Sequence, residues 1–271
     1  FLYNYGGPAF NGDQPTYPKM LQAAGYQTGI VGKWHLISQP TGFDSWQVFP
    51  SQGDYLNSTF LTADNQGRTK SVRHRGYVTD VVTNMAITWM ESRDKTKPFA
   101  LIVGHKAPHR NWLPAPRHLE TIKKHVAKMT PPATLHDNWE NRPEFLKHNR
   151  QTVGWDLCNW NDNHLVAKEI PFDVMKEIIP KGQLRNRIKN GEFKGQIPAD
   201  FDIEKHQPKF APKTNLGWGT DWIEPGLQQV YVDFYTKRTH EFVEAMRAGK
   251  IKTQEDMTEQ RWRWYMEDYL G

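Results

Sequence analysis

Apolar residues along this chain fall into two kinds of run. Short unbroken ones, at residues 28–31 and 99–104, are bounded by glycine or proline and have the length of buried strands. Longer ones recur every three or four residues. Tyr77, Val81, Met85 and Trp89, joined by Val78, Val82, Ala86 and Met90, predict an amphipathic helix ending near Arg93. Ahead of the first strand, Thr16 is placed to cap a short helix with Pro18 in its first turn. Met20, Leu21 and Ala24 lie on one side of it, and Gly25 is its stop. Strand, helix and strand then predict a parallel βαβ arrangement with the run at 99–104 fully buried, and the long connection before the helix has room for another strand.

Elsewhere the pattern is weaker. Residues 1–15 are rich in Gly, Asn and Pro and read as loop, as does the aromatic stretch from Pro40 to about Gly67. Short helices are predicted near 117–128 and 172–179, the second stopped by Pro180. Two longer ones follow. Residues 228–246 interleave Val232, Tyr235, Phe242 and Met246 with charges and end near Gly249, while residues 255–270 space Trp262, Tyr265, Met266 and Tyr269 for one face. The chain therefore reads as α/β, with a central, mostly parallel sheet flanked by helices.

Composition changes this picture little. The apolar content of 37% is on the polar side for a compact enzyme, but 13% aromatic residues argue against simple disorder. A net charge of +5 is mild and scattered, and there is no dense Lys/Arg run or nucleic-acid-reading motif, so a nucleic acid is not expected as partner. No apolar run approaches the ~20 residues of a membrane span. Cys158 is the single cysteine, which excludes an intrachain disulfide and a cysteine-rich metal cluster.

Candidate chemistry sits at the exits of the two apolar strands, where ligands collect in open α/β sheets. Lys33 and His35 follow the first. If the extended backbone continues they project from one face, a fixed charge beside a movable proton. Taken alone, so short a pattern is most simply a solvated lysine beside a half-buried histidine. His105, Lys106, His109 and Arg110 follow the second strand. A zinc pair at His105 and His109 is disfavoured because Pro108 interrupts the helix that such spacing requires. Taken alone, this segment is a basic surface loop.

The stretch Gly25-Tyr26-Gln27-Thr28-Gly29-Ile30-Val31-Gly32-Lys33-Trp34-His35-Leu36 resembles the second signature of the formylglycine-dependent sulfatases, members of the alkaline phosphatase superfamily. The resemblance is nearly continuous over 16–36 and continues through Thr41-Gly42-Phe43-Asp44. Lys106-Ala107-Pro108-His109-Arg110-Asn111-Trp112 looks like the matching segment of bacterial sulfatases of the N-acetylglucosamine-6-sulfatase and heparan sulfatase kinds. The resemblance implies a sulfatase-like sandwich and hydrolysis of sulfate esters on a glycan sugar or aryl sulfate. It implies that Lys33 binds the sulfate oxygens, and that His35 contacts the formylglycine hydrate and assists sulfate elimination. His109 would bind sulfate and protonate the leaving oxygen, with Lys106, Arg110 and His105 as substrate contacts. Such cations and acids suit a bond cleavage that builds negative charge on the bridging oxygen.

The resemblance is strong over 11–55 and 76–117 and weak between them. It divides the chain into an α/β core at 1–117, an irregular elaboration at 118–222 and a helical return to the core at 223–271, all parts of a catalytic domain whose flanks are expected beyond both ends. The family's Cys-x-Pro-Ser-Arg nucleophile motif and its aspartate and Asp-Asn calcium ligands have no counterpart here. Calcium and formylglycine are thus expected of a longer parent, and this chain alone is expected to be inactive and to hold no metal. Family membership further implies a periplasmic or secreted enzyme. Two alternatives stay open: a phosphodiesterase or phosphonate hydrolase of the same superfamily, and a non-catalytic protein that binds sulfated glycans.

Overall fold

The computed structural model describes residues 9–137, 139–148, 152–211 and 229–271, which form two compact units divided between His109 and Arg110. The loop reading of residues 1–8, the helix start at Gln228 and part of the 118–222 stretch, including its boundary at 222/223, lie outside the described residues.

The first unit is built on one sheet. Strands β1 (Gln27–Lys33), β2 (Ser45–Phe49), β3 (Thr59–Ala63), β4 (Thr69–Arg73) and β5 (Phe99–Gly104) lie in the order β4-β3-β2-β1-β5. β1 pairs in parallel with β2 and β5, and β3 is antiparallel to both β2 and β4. The two apolar runs are therefore parallel neighbours. The connection between them holds three further strands. These are five residues each and carry mostly polar or partly buried positions, so their apolar periodicity is too short to read. β5 differs from expectation in another way. It is the last strand of the sheet among the described residues, and this position leaves Phe99 and Val103 exposed in a run that sequence reads as fully buried.

Helix α1 (Tyr17–Ala23) enters β1 through Gly25, which holds φ +87°. Thr16 occupies the cap position, but its side chain makes no capping bond, and Met20 faces out at 62% exposure. Helix α2 (Val78–Ser92) buries Val78, Val82, Met85 and Ala86 and packs on β1 and β5. Its Trp89 ring fills the space above Gly29, where a Cβ would meet ring atoms at 2.6 Å, and its indole N–H donates to Ser45 Oγ at 2.6 Å. The parallel step predicted from sequence is thus sealed by an aromatic ring seated on a glycine.

The second unit contains α3 (Leu119–Val126), α4 (Val153–Asp156), α5 (Phe172–Ile178), α6 (Lys181–Lys189), α7 (Gln229–Arg247) and α8 (Gln254–Leu270). Pro180 ends α5 as expected. It also stands at the cap position of α6, a helix whose sequence is too polar to show a face. A core of Trp160, Ile170, Phe172, Met175, Ile178 and Phe242, with Trp264 of α8, holds this unit together. The buried face of α8 is not the aromatic stripe that spacing suggests: Tyr269 is exposed, while Arg261 and Asp268 are buried. Charge pairing of Asp268 and hydrogen bonds from Arg261 to neutral oxygens explain the reversal. Arg238 of α7 donates to Asp268 and Glu267 at 2.8 Å, and Arg261 Nη2 donates to the Phe210 carbonyl at 2.9 Å, so these groups leave water with partners in place. No helix among the described residues is long and apolar enough to cross a membrane.

A tight backbone approach in the first unit joins β1 to β5. Gly32 and Gly104 are paired in register, and a Cβ on Gly32, at φ +94°, would meet the Gly104 carbonyl oxygen at 1.9 Å. Gly32→Ala is therefore expected to cost about 2–3 kcal/mol in urea unfolding. Gly25→Ala, where a Cβ meets open space, should cost only the backbone strain of about 1 kcal/mol. Equal losses in the two variants would show that the strand contact is not limiting.

Candidate functional site

In the first unit, two loops at one end of the sheet supply the predicted residues, and the loop after β2 meets them there. β1 ends at Lys33, and the chain turns at once: His35 takes φ +55° and Ile37 φ +68°. The extended backbone therefore does not continue, and the shared projection expected from two-residue spacing is replaced by a turn. Both side chains nonetheless reach one residue, Gln52, in the loop after β2. Lys33 Nζ donates to Gln52 Oε1, and Gln52 Nε2 lies 3.5 Å from His35 Nδ1. Partial burial lowers the Lys33 ammonium pKa below its ordinary value.

The exit of β5 reaches the same loop. Lys106, 9% exposed, donates from Nζ to the Gln52 carbonyl oxygen at 3.3 Å, and its ammonium lies 4.9 Å from the ring centre of Tyr55. A desolvated cation is attracted to the face of such a ring. Tyr55 in turn donates its hydroxyl to the His109 carbonyl at 2.7 Å and stacks on Tyr77, while the His109 N–H closes a turn onto the Lys106 carbonyl at 2.9 Å. The structure thus brings Lys33, His35 and Lys106 to Gln52 and ties the His109 backbone to the same loop through Tyr55. His105 is half-buried at the exit of β5, with its Nδ1 enclosed and without a hydrogen-bond partner among the described residues.

Arg110 opens the second unit. Its guanidinium donates to Asp162 Oδ1 at 2.6 Å, to Asp156 Oδ2 at 3.1 Å and to the Asp156 carbonyl at 3.0 Å. The hydrogen bond to Asp162 raises its pKa, so this guanidinium is committed to two carboxylates.

Sequence reading missed Gln52 and Tyr55, the two residues that organise the first-unit cluster. A glutamine in a loop carries no charge and no periodicity, and its importance appears only when two strand exits converge on it. The legible signal was the neighbouring Gly53, held at φ +64° with a would-be Cβ 2.6 Å from the Phe49 ring. That close packing fixes the loop.

Arranged in this way, two ammonium groups and an imidazole can clamp a small tetrahedral anion, with a proton source at hand. His35 also lines a cavity of about 460 Å³ walled by Trp34, Pro40, Trp46 and Phe49. Among the described residues nothing fits the nucleophile or the calcium implied by resemblance. Cys158 is buried, with its thiol pKa raised by that burial, and no group of three or more His, Cys, Asp or Glu among the described residues could hold a metal ion. No catalytic step is therefore assigned to either group.

Comparison with known proteins bears on the same region. The sulfatase family model matches residues 3–152. An N-acetylglucosamine-6-O-sulfatase of Bacteroides thetaiotaomicron is 44% identical over 163 residues, which are 59% of this chain and 28% of that protein. The human N-acetylglucosamine-6-sulfatase is 25% identical over 212 residues, covering 69% of this chain and 38% of its own length. Among solved structures, BT4656 in complex with its substrate D-glucosamine-2-N,6-O-disulfate matches with a TM-score of 0.65 and 32% identity, over 97% of this chain and 44% of that one. The chain thus spans under half the length of these relatives.

Burial raises the Tyr55 phenol pKa well above its ordinary value of 10.0. The folded state therefore keeps this proton where the unfolded chain loses it. The associated stability is complete below pH 10.0 and is lost progressively above it, toward the raised folded value. Tyr55→Phe should cost about 1 kcal/mol at neutral pH, from the lost bond to the His109 carbonyl. It should also flatten the decline in unfolding free energy above about pH 10. An unchanged alkaline slope would mean that the phenol is not held in this way.

Proposed function

The chain belongs to the sulfatase family, and from that membership we propose that the full protein is a sulfuric ester hydrolase acting on a sulfated amino sugar of a glycan. The observation that carries this reading is the convergence of Lys33, His35 and Lys106 on Gln52. Sulfate monoesters are monoanions, and their cleavage moves charge onto the bridging oxygen. Cations fixed at the sulfuryl oxygens and an acid at the leaving oxygen are what that reaction needs. In this reading Lys33 and Lys106 bind sulfate oxygens, His35 donates a hydrogen bond at the same group, and His109 protonates the departing sugar oxygen.

The substrate class is supported by the relatives: two are named for 6-sulfated N-acetylglucosamine, and the structural neighbour holds a 6-O-sulfated glucosamine. A 6-sulfate stands on a primary carbon outside the ring, so a site that grips the sulfate from strand exits need not enclose the whole sugar. Such substrates lie in extracellular glycans, which suits a periplasmic or secreted enzyme.

Sulfate release from N-acetylglucosamine-6-sulfate by the full-length protein tests the reading. Lys33→Ala and His109→Ala should each lower kcat/KM by about 100-fold or more. Near-normal turnover in either variant removes that residue from the mechanism, and a wild-type protein that releases no sulfate from any 6-O-sulfated glucosamine overturns the reading as a whole.

A further inference from the structure

We propose that the exposed edge of β4 is a second anion-binding surface, which holds a further sulfate or carboxylate of a glycan chain whose sulfated sugar lies at Lys33. The inference deepens the proposed function and rests on it for the identity of the substrate. β4 is the last strand on its side of the sheet among the described residues. Lys70 and Arg73 stand on it, Arg68 just before it and Arg75 just after, and all four are exposed. Little acid offsets them. Asp64, in the turn between β3 and β4, accepts the Gln66 and Arg68 N–H groups at 2.8 and 2.9 Å and pairs with Arg68 Nε at 2.9 Å. Arg73 Nε donates to the Asn57 carbonyl at 3.1 Å, a neutral partner, and Lys70 and Arg75 form no salt bridge among the described residues. Charge on an edge strand also deters pairing with other chains, a task that either sign performs. Here every charged side chain from residue 65 to residue 76 is basic.

The spacing suits a chain better than a small ion. Strand residues rise about 3.3 Å each, so the backbone sets Lys70 and Arg73 about 10 Å apart, and alternation sends them to opposite faces. One sulfate could join them only by drawing two like charges together, whereas a polyanion running along the edge meets them in turn. Continuity with the Lys33 site makes that polyanion a glycan. His35 and Thr69 line one cavity of about 460 Å³. Gln39, in the loop that follows His35, donates to the Gly67 carbonyl at 3.3 Å and to Thr69 Oγ1 at 2.7 Å, which ties the exit of β1 to the start of β4. The wall between them includes Trp46, Phe49 and Leu61, an apolar and aromatic surface that suits the C–H face of a sugar ring. A chain with its sulfated sugar at Lys33 crosses this wall and reaches Arg68 and Lys70, which flank Thr69. Longer and more anionic substrates are therefore bound better, with an advantage that salt removes.

The test uses the full-length protein, a 6-O-sulfated glucosamine monosaccharide, and a fluorescent sulfated hexasaccharide of glucosamine and uronic acid. Wild type is expected to bind the hexasaccharide about tenfold more tightly than the monosaccharide at about 0.05 M salt, and to lose most of that advantage at about 0.5 M. The double variant Lys70→Gln, Arg75→Gln should weaken hexasaccharide binding about tenfold at low salt and leave sulfate release from the monosaccharide within about twofold. An unchanged thermal unfolding midpoint shows that the variant is folded. Equal hexasaccharide affinity in wild type and folded variant overturns the proposal, as does loss of monosaccharide turnover in step with hexasaccharide binding. Duplex DNA that displaces the hexasaccharide at equal or lower charge concentration makes the edge a general polyanion surface and overturns the glycan assignment. A protein that binds the hexasaccharide through Lys70 and Arg75 but releases no sulfate from either sugar overturns the sulfatase reading and leaves the β4 surface standing.

Discussion

The first unit depends on a backbone contact that admits no side chain. Gly32 of β1 and Gly104 of β5 face each other so closely that a methyl on either would strike the opposite strand. The contact lies where both strands leave the sheet, so it sets the separation of the segments that follow. Lys33 is the next residue on one side, and His105 and Lys106 come next on the other. Two lysines far apart in sequence reach one glutamine because two glycines let their strands close up. The sheet thus contributes to the chemistry by geometry alone.

Two ammonium groups near one point repel each other unless something acidic or polar lies between them. An acidic residue would neutralise them and leave little attraction for an anionic ligand. Gln52 offers the alternative: its side-chain oxygen satisfies Lys33 and its main-chain oxygen satisfies Lys106, with no net charge added. The cations are oriented and keep their field. Tyr55 supports the arrangement through its ring face under Lys106 and its hydroxyl on the His109 carbonyl. The second unit uses charge in the opposite sense. There Arg110 and Arg238 are matched with carboxylates, a structural use of guanidinium that leaves little field over.

What sequence made legible follows the strength of each local signal. The β1 and β5 runs are unbroken and apolar and the α2 period is long, and the structure places them close to the expected bounds. β2, β3 and β4 were hidden because a five-residue strand with one face partly wet leaves no clear alternation. The exposure of β5 was unreadable, since an apolar run does not say whether a further strand lies beside it. In α8, buried Arg261 and Asp268 broke the rule that charge marks the outer face, because pairing is invisible in a periodicity. At the site, Lys33, His35 and Lys106 could be named from motif and strand exit. Gln52 could not, since its role exists only in the space between two loops. His35 reached the site through a left-handed turn where an extended segment was expected.

The central claim is that Lys33 and Lys106 grip one sulfate group beside Gln52. The most direct measurement is a crystal structure of the full-length protein bound to a 6-O-sulfated glucosamine. Sulfate oxygens are expected at about 2.7–3.1 Å from both lysine Nζ atoms, with the Gln52 amide in place beside them. A sulfate bound elsewhere, with Lys33 and Lys106 still turned to Gln52 and touching no ligand, would contradict the claim.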